Sequence, residues 1–79
     1  DMGYKGSISH VRVTKDGAYI CTLGSGLLFY DRNIKKMIVY NTENSTLPSN
    51  YCYNVKQTAS NKFILTGDRG IILFDPKEQ

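Results

Sequence analysis

The sequence has no tryptophan, only two cysteines and two prolines in 79 residues, and no apolar run longer than four residues. A membrane-spanning helix needs about 18 or more consecutive apolar residues, so none is expected. No charged and then apolar leader opens the chain, so we expect no signal peptide. Because the first residue is Asp1 rather than Met, we expect an excised or processed piece of a longer protein.

Charge of one sign is also sparse. Ten Lys and Arg residues against seven Asp and Glu give a net charge of +3, and the cations are scattered, with Lys35 and Lys36 as the one adjacent pair. Nucleic-acid-binding proteins concentrate their cations on one face or stripe. We therefore interpret these cations as solvated surface and expect no direct nucleic acid contact.

The residues that most often carry chemistry are few. Cys21 and Cys52 have neither a zinc spacing nor a redox motif, so we expect buried free thiols, although one disulfide is possible in an oxidising compartment. His10 is the only histidine and has no second ligand at metal-binding spacing, so we interpret it as a polar inner-strand residue. We expect no metal, no cofactor and no catalysis by this segment.

An internal repeat is the strongest feature of the sequence. With an offset of 44 residues, residues 8–31 align with residues 52–75 without a gap, with six identities in 24 pairs, against about one or two by chance. The pairs Gly26 with Gly70 and Asp31 with Asp75 are among them. Because these residues recur, we expect structural roles for them, with the aspartates bonding their own turn backbone.

Each repeat reads as a series of short strands. Residues 8–14 alternate polar and apolar side chains, and β-rich segments follow at 18–23, 27–30 and 37–40, with turns at glycine or asparagine between them. Four strands in 40 to 45 residues is the period of a propeller blade. We therefore predict an all-β fold, a β-propeller fragment of about two four-stranded antiparallel blades. Residues 8–40 form the first blade, 41–50 an inter-blade loop, and 51–79 a second, incomplete blade.

Two segments carry a family resemblance. Residues 16–31 (DGAYICTLGSGLLFYD) and 61–75 (NKFILTGDRGIILFD) resemble the two-component-regulator propeller repeat, and residues 47–50 (LPSN) resemble its inter-blade linker. The resemblance implies a periplasmic sensor region of a Bacteroides-type hybrid two-component histidine kinase that detects glycan fragments. It implies that the kinase and membrane helix lie outside this chain, and that this segment itself does not contact the membrane.

Blade geometry indicates where a ligand would bind. Loops that open on one rim would present Asn50, Tyr51, Asp68 and Arg69, which combine an aromatic face with a carboxylate and a guanidinium suited to a sugar ring. A solvated turn beside packing tyrosines is the alternative interpretation of these residues.

Two other functions remain as alternatives, a protein-binding propeller scaffold without a signalling role and an enzyme built on a propeller. Because two blades leave apolar faces open, we also expect further blades of a parent chain, or copies that associate, to cover them.

Overall fold

The computed structural model describes residues 6–59 and 62–79. The start of the predicted segment 1–79 (residues 1–5) and two residues of the predicted second blade 51–79 (residues 60–61, which include Asn61) lie outside the described residues. The described residues form seven strands and one 3₁₀ helix. These elements are β1 (Ile8–Thr14), β2 (Gly17–Thr22), β3 (Leu27–Asp31), β4 (Lys36–Tyr40), β5 (Cys52–Ala59), β6 (Lys62–Gly67), β7 (Gly70–Phe74) and the helix Pro76–Glu78.

The described strands form two antiparallel meanders. The first sheet has the order β1-β2-β3-β4 and the second has the order β5-β6-β7. This arrangement confirms the predicted all-β fold, with one four-stranded blade and a second that has three strands among the described residues. The short 3₁₀ helix was not predicted; Asp75 caps it, and Pro76 occupies its first position, where a missing N–H costs nothing.

The turn chemistry matches the expectation from the repeat. Asp31 accepts a hydrogen bond from the backbone N–H of Asn33 at 2.9 Å, and Asp75 accepts one from the N–H of Lys77 at 2.9 Å. Each aspartate therefore bonds its own turn, two residues along the chain, as an Asx turn does. Recurrence of Asp31 and Asp75 in the two repeats reflects this backbone role.

The two sheets pack face to face with their first strands side by side. Ser9 Oγ donates to the carbonyl oxygen of Cys52 at 2.6 Å, and Arg12 Nε donates to that of Val55 at 3.3 Å. Both bonds join residues 43 positions apart, so β1 and β5 run in the same direction. Adjacent propeller blades share this orientation of their inner strands.

Aromatic and aliphatic side chains fill the space between the sheets. The ring of Tyr19 lies 4.5 Å from that of Phe29 in its own sheet and 4.4 Å from that of Phe63 in the other, centroid to centroid. Burial of these rings supplies much of the driving force that holds the sheets together. The buried residues of this cluster are Tyr19, Cys21, Leu27, Phe29, Leu47, Cys52, Val55, Phe63, Leu65 and Phe74.

The second sheet departs from the ungapped repeat in its middle strand. In the first sheet Val13 pairs with Ala18, so an offset of 44 would pair Gln57 with Lys62; the observed partner of Gln57 is Phe63. A register irregularity between Gln57 and Ala59 accompanies this shift. Side chains alternate along a strand, so a slip of one residue exchanges the faces of β6.

The slip determines which β6 residues enter the core. Phe63 and Leu65 face the first sheet and are buried, whereas Ile64 lies on the opposite face. The ungapped offset of 44 aligns Tyr19 with Phe63, whereas in the strand register Tyr19 corresponds to Ile64. Cys21 and its β3 partner Leu27 are six positions apart in the chain, whereas the equivalent β6–β7 pair, Thr66 and Ile71, is five apart. This difference of one residue returns β7 to the original offset.

Candidate ligand-binding rim

Three connections meet at one end of the two sheets, and we call this end the rim. It consists of the β2–β3 loop (residues 23–26), residues 50–51 before β5, and the turn at residues 68–69 between β6 and β7. Leu23 and Tyr51 form an antiparallel bridge between the sheets. The loops predicted to share a rim therefore do lie together.

Asn50 connects the two sheets through its backbone. Its carbonyl oxygen accepts hydrogen bonds from the N–H groups of Gly24, at 3.1 Å, and Gly26, at 2.8 Å. Its side-chain Oδ1 accepts from the N–H of Thr42 at 2.9 Å. Asn50 was predicted to contact a ligand, and the structure places its oxygens in bonds that hold the rim together.

Two glycines allow the backbone at the rim to lie close to neighbouring backbone segments. Gly26 has φ 85°, and a Cβ there would overlap the carbonyl oxygen of Tyr40. A Cβ on Gly67 would overlap the carbonyl oxygen of Tyr51, so the end of β6 can lie directly against residue 51 only because glycine has no side chain. Gly67 thus brings the turn at Asp68 and Arg69 beside Tyr51.

Tyr51 is the aromatic side chain of the rim. It is 48% exposed, and its Cζ and Oη atoms lie 3.9 Å from the position that a Cβ on Gly24 would occupy. Its backbone N–H donates to Ser49 Oγ at 3.1 Å, which fixes the chain direction before β5. The ring therefore offers an accessible apolar surface next to the backbone of the β2–β3 loop.

Asp68 and Arg69 are the charged side chains of the rim. Both are exposed, and among the described residues neither side chain has a hydrogen bond or an ion pair. A carboxylate is an acceptor with two oxygens, and a guanidinium is a planar donor fork. On the turn that follows Gly67, these groups supply the acceptors and donors that a hydroxyl-rich ligand would need.

A second concave region, which the sequence did not predict, opens between the sheets at the opposite end. A cavity of about 960 Å³ is floored by Tyr19, Phe63 and Tyr40 and edged by Lys15 and Asp16 of the β1–β2 turn. Burial raises the pKa of Tyr19 and of Tyr40, so both phenols stay neutral at physiological pH. Sequence patterns indicate only a turn at Lys15 and Asp16, because their position over another sheet depends on how the sheets pack.

The structure gives no indication of metal or membrane chemistry within residues 6–59 and 62–79. No group of three or more His, Cys, Asp or Glu side chains there is close enough to hold a metal ion. No described helix has the length and apolar character to span a membrane. His10 lies opposite Cys21 in the strand register, and its Nε2 is buried without a hydrogen-bond partner among the described residues.

Comparison with known proteins adds no assignment. The chain matches no protein-family model, no curated protein and no solved structure.

Proposed function

We propose that this chain is part of an extracytoplasmic propeller that senses glycan fragments for a two-component sensor kinase. The observation that carries the proposal is the rim, where backbone contacts that cross between two blade-like sheets join the β2–β3 loop to residues 50–51. Within the second sheet, Gly67 lies directly against Tyr51 and is followed by Asp68 and Arg69. Loops on a rigid scaffold are where binding residues tend to lie.

The chemistry of the rim supports a saccharide over other small ligands. A sugar ring has apolar faces and hydroxyl groups at its edge, so an aromatic ring can stack on the face while charged groups bond the edge. Tyr51 is 48% exposed, so its ring is the accessible aromatic surface on which a sugar would stack. The periplasmic location and the kinase output rest on the repeat resemblance.

Calorimetric titration of the full chain with oligosaccharides selected on a glycan array tests the proposal. We expect saturable binding that Tyr51→Ala weakens by about tenfold, which corresponds to about 1.4 kcal/mol. Tyr30→Ala is the matched control, since Tyr30 is a partly exposed tyrosine in β3 away from the rim. Absence of saccharide binding, or equal losses in both variants, would contradict the proposal.

The second candidate function is a protein-binding scaffold, and the outer faces of the sheets favour it. On the face of the second sheet that points away from the first, Ile71 is 75% exposed and Leu73 is 79% exposed. Val13 is similarly exposed on the far face of the first sheet. Exposed aliphatic groups at this density mark surfaces that another protein covers.

We propose that a further blade-like sheet covers these faces, supplied by a longer parent chain or by another copy. Light scattering of the dilute chain distinguishes the two sources. Association of the chain with itself points to copies, and a monomer that becomes more stable when adjoining parent sequence is added points to further blades. If the chain unfolds cooperatively as a monomer and adjoining parent sequence does not raise its stability, both sources of a covering sheet would be contradicted.

A further inference from the structure

The two cysteines meet at the interface between the sheets. Cys21 lies in β2 of the first sheet and Cys52 begins β5 of the second, 31 positions later, and their Sγ atoms are 2.8 Å apart. Both are buried, with 0% exposure for Cys21 and 5% for Cys52. This contact is therefore a point where one covalent bond could join the two sheets.

A single hydroxyl lies against the backbone carbonyls of both cysteines. Ser9 Oγ lies 2.6 Å from the carbonyl oxygen of Cys52 and 3.4 Å from that of Cys21. It therefore connects the two cysteine-bearing strands from a third strand, β1. A disulfide requires the two side chains to point towards each other, and the 2.8 Å between the sulfurs meets this requirement.

The two thiols are also chemically unequal. A hydrogen bond with Cys21 lowers the pKa of the Cys52 thiol, and the same interaction raises the pKa of Cys21. When Cys52 ionises first, the remaining S–H of Cys21 can donate to it. Since the thiolate is the nucleophile in disulfide exchange, Cys52 would react first and Cys21 second.

We propose that Cys21 and Cys52 form a reversible disulfide that staples the two sheets together. The oxidant is the disulfide of a small molecule or of a thiol–disulfide oxidoreductase. The Cys52 thiolate attacks one of its sulfurs and releases the other as a thiolate. Cys21 then loses its proton to solvent and attacks the Cys52 sulfur of the mixed disulfide, which releases the second thiol. Two cysteine thiols are oxidised, and one external disulfide is reduced to two thiols.

Burial determines when this exchange takes place. In the closed arrangement neither sulfur is accessible to a bulky oxidant, so the bond forms before the sheets close or during a transient opening. Once it has formed, the same burial shields it from reductants. We therefore expect reduction of the native chain to be much slower than reduction of the chain in denaturant.

Incubation of the full chain with reduced and oxidised glutathione tests the proposal. We expect intact-mass analysis after alkylation in denaturant to show a monomer that has lost two hydrogens and carries no alkyl group. Two alkylated thiols per chain, or disulfides only between chains, would overturn the proposal. This measurement needs no variant and is informative even if substitutions prevent folding.

Denaturation of the oxidised and reduced chains gives a second readout. A loop of 31 positions predicts that the disulfide lowers the unfolding equilibrium constant by roughly 500-fold. The matched control is the double variant Cys21→Ser with Cys52→Ser, which should show no redox-dependent shift. The proposal would be overturned if the unfolding equilibrium constant of that variant showed the same redox-dependent change. It would also be overturned if the fully oxidised original chain showed no change.

Discussion

The register of β6 can be tested by comparing two neighbouring residues. Phe63 is buried and its ring contacts that of Tyr19 at 4.4 Å, whereas Ile64 is only partly buried on the opposite face. Phe63→Ala should cost about 3 to 5 kcal/mol of unfolding free energy through lost burial and the cavity left behind. Ile64→Ala should cost about 1 to 2 kcal/mol, since a partly exposed side chain loses less contact with the core.

These costs matter because the whole chain has little stability. At about 0.05 to 0.15 kcal/mol per residue, 79 residues have about 4 to 12 kcal/mol of unfolding free energy. Phe63→Ala would therefore remove a quarter or more of it. Phe63→Leu, which retains a large apolar side chain, keeps the comparison measurable if the alanine variant does not fold.

Urea denaturation followed by far-ultraviolet circular dichroism is the appropriate assay, with the slope of the transition checked for constancy. Ile34→Ala is the control, because Ile34 lies in the β3–β4 turn, is 57% exposed and should change the unfolding free energy by about 0.5 kcal/mol or less. If Ile64→Ala were more damaging than Phe63→Ala, β6 would follow the ungapped repeat, and the described register would be refuted.

Three further predictions concern other parts of the chain. Gly26→Ala should lower the urea midpoint, because its Cβ would overlap the Tyr40 carbonyl at a positive φ; an unchanged midpoint would contradict the described loop. Lys62 lowers the pKa of Asp75, so Lys62→Gln should be less stable than the original chain near neutral pH. That difference is present above the unfolded pKa of Asp75 and should vanish as pH falls through the lower folded pKa; a constant difference in an acid titration would count against the pair. Leu73→Lys should reduce self-association in light scattering, and unchanged association would exclude that face.

Much of the fold could be predicted from the sequence, because local signals fix most strand boundaries. Glycine and asparagine turns separate short apolar segments, and strand lengths followed from these positions. The face of β6 could not be predicted, since Phe63, Ile64 and Leu65 are consecutive apolar residues that fit either register. Their orientation depends on the register irregularity within β5 between Gln57 and Ala59, which the alignment of the repeats did not show.

The rim was predictable in position but not in the role of each residue. Tyr51, Asp68 and Arg69 were identified from blade geometry, and the structure brings their segments together. Asn50 joins the sheets through its backbone carbonyl, and because every residue has this group, the sequence does not indicate the role. The contact of Cys21 with Cys52 was equally hidden, because a separation of 31 positions does not reveal that two strands of different sheets face each other.

The parallel course of β1 and β5 has a consequence for assembly. When successive sheets are related in this way, the face that one sheet offers to the next differs from the face that it offers to the preceding sheet. Each added sheet therefore packs head-to-tail and leaves the same uncovered face at the end of the series. Such a series stops only when the last member meets the first. A closed circle would be soluble, whereas a series whose rotation fails to close would polymerise into a filament.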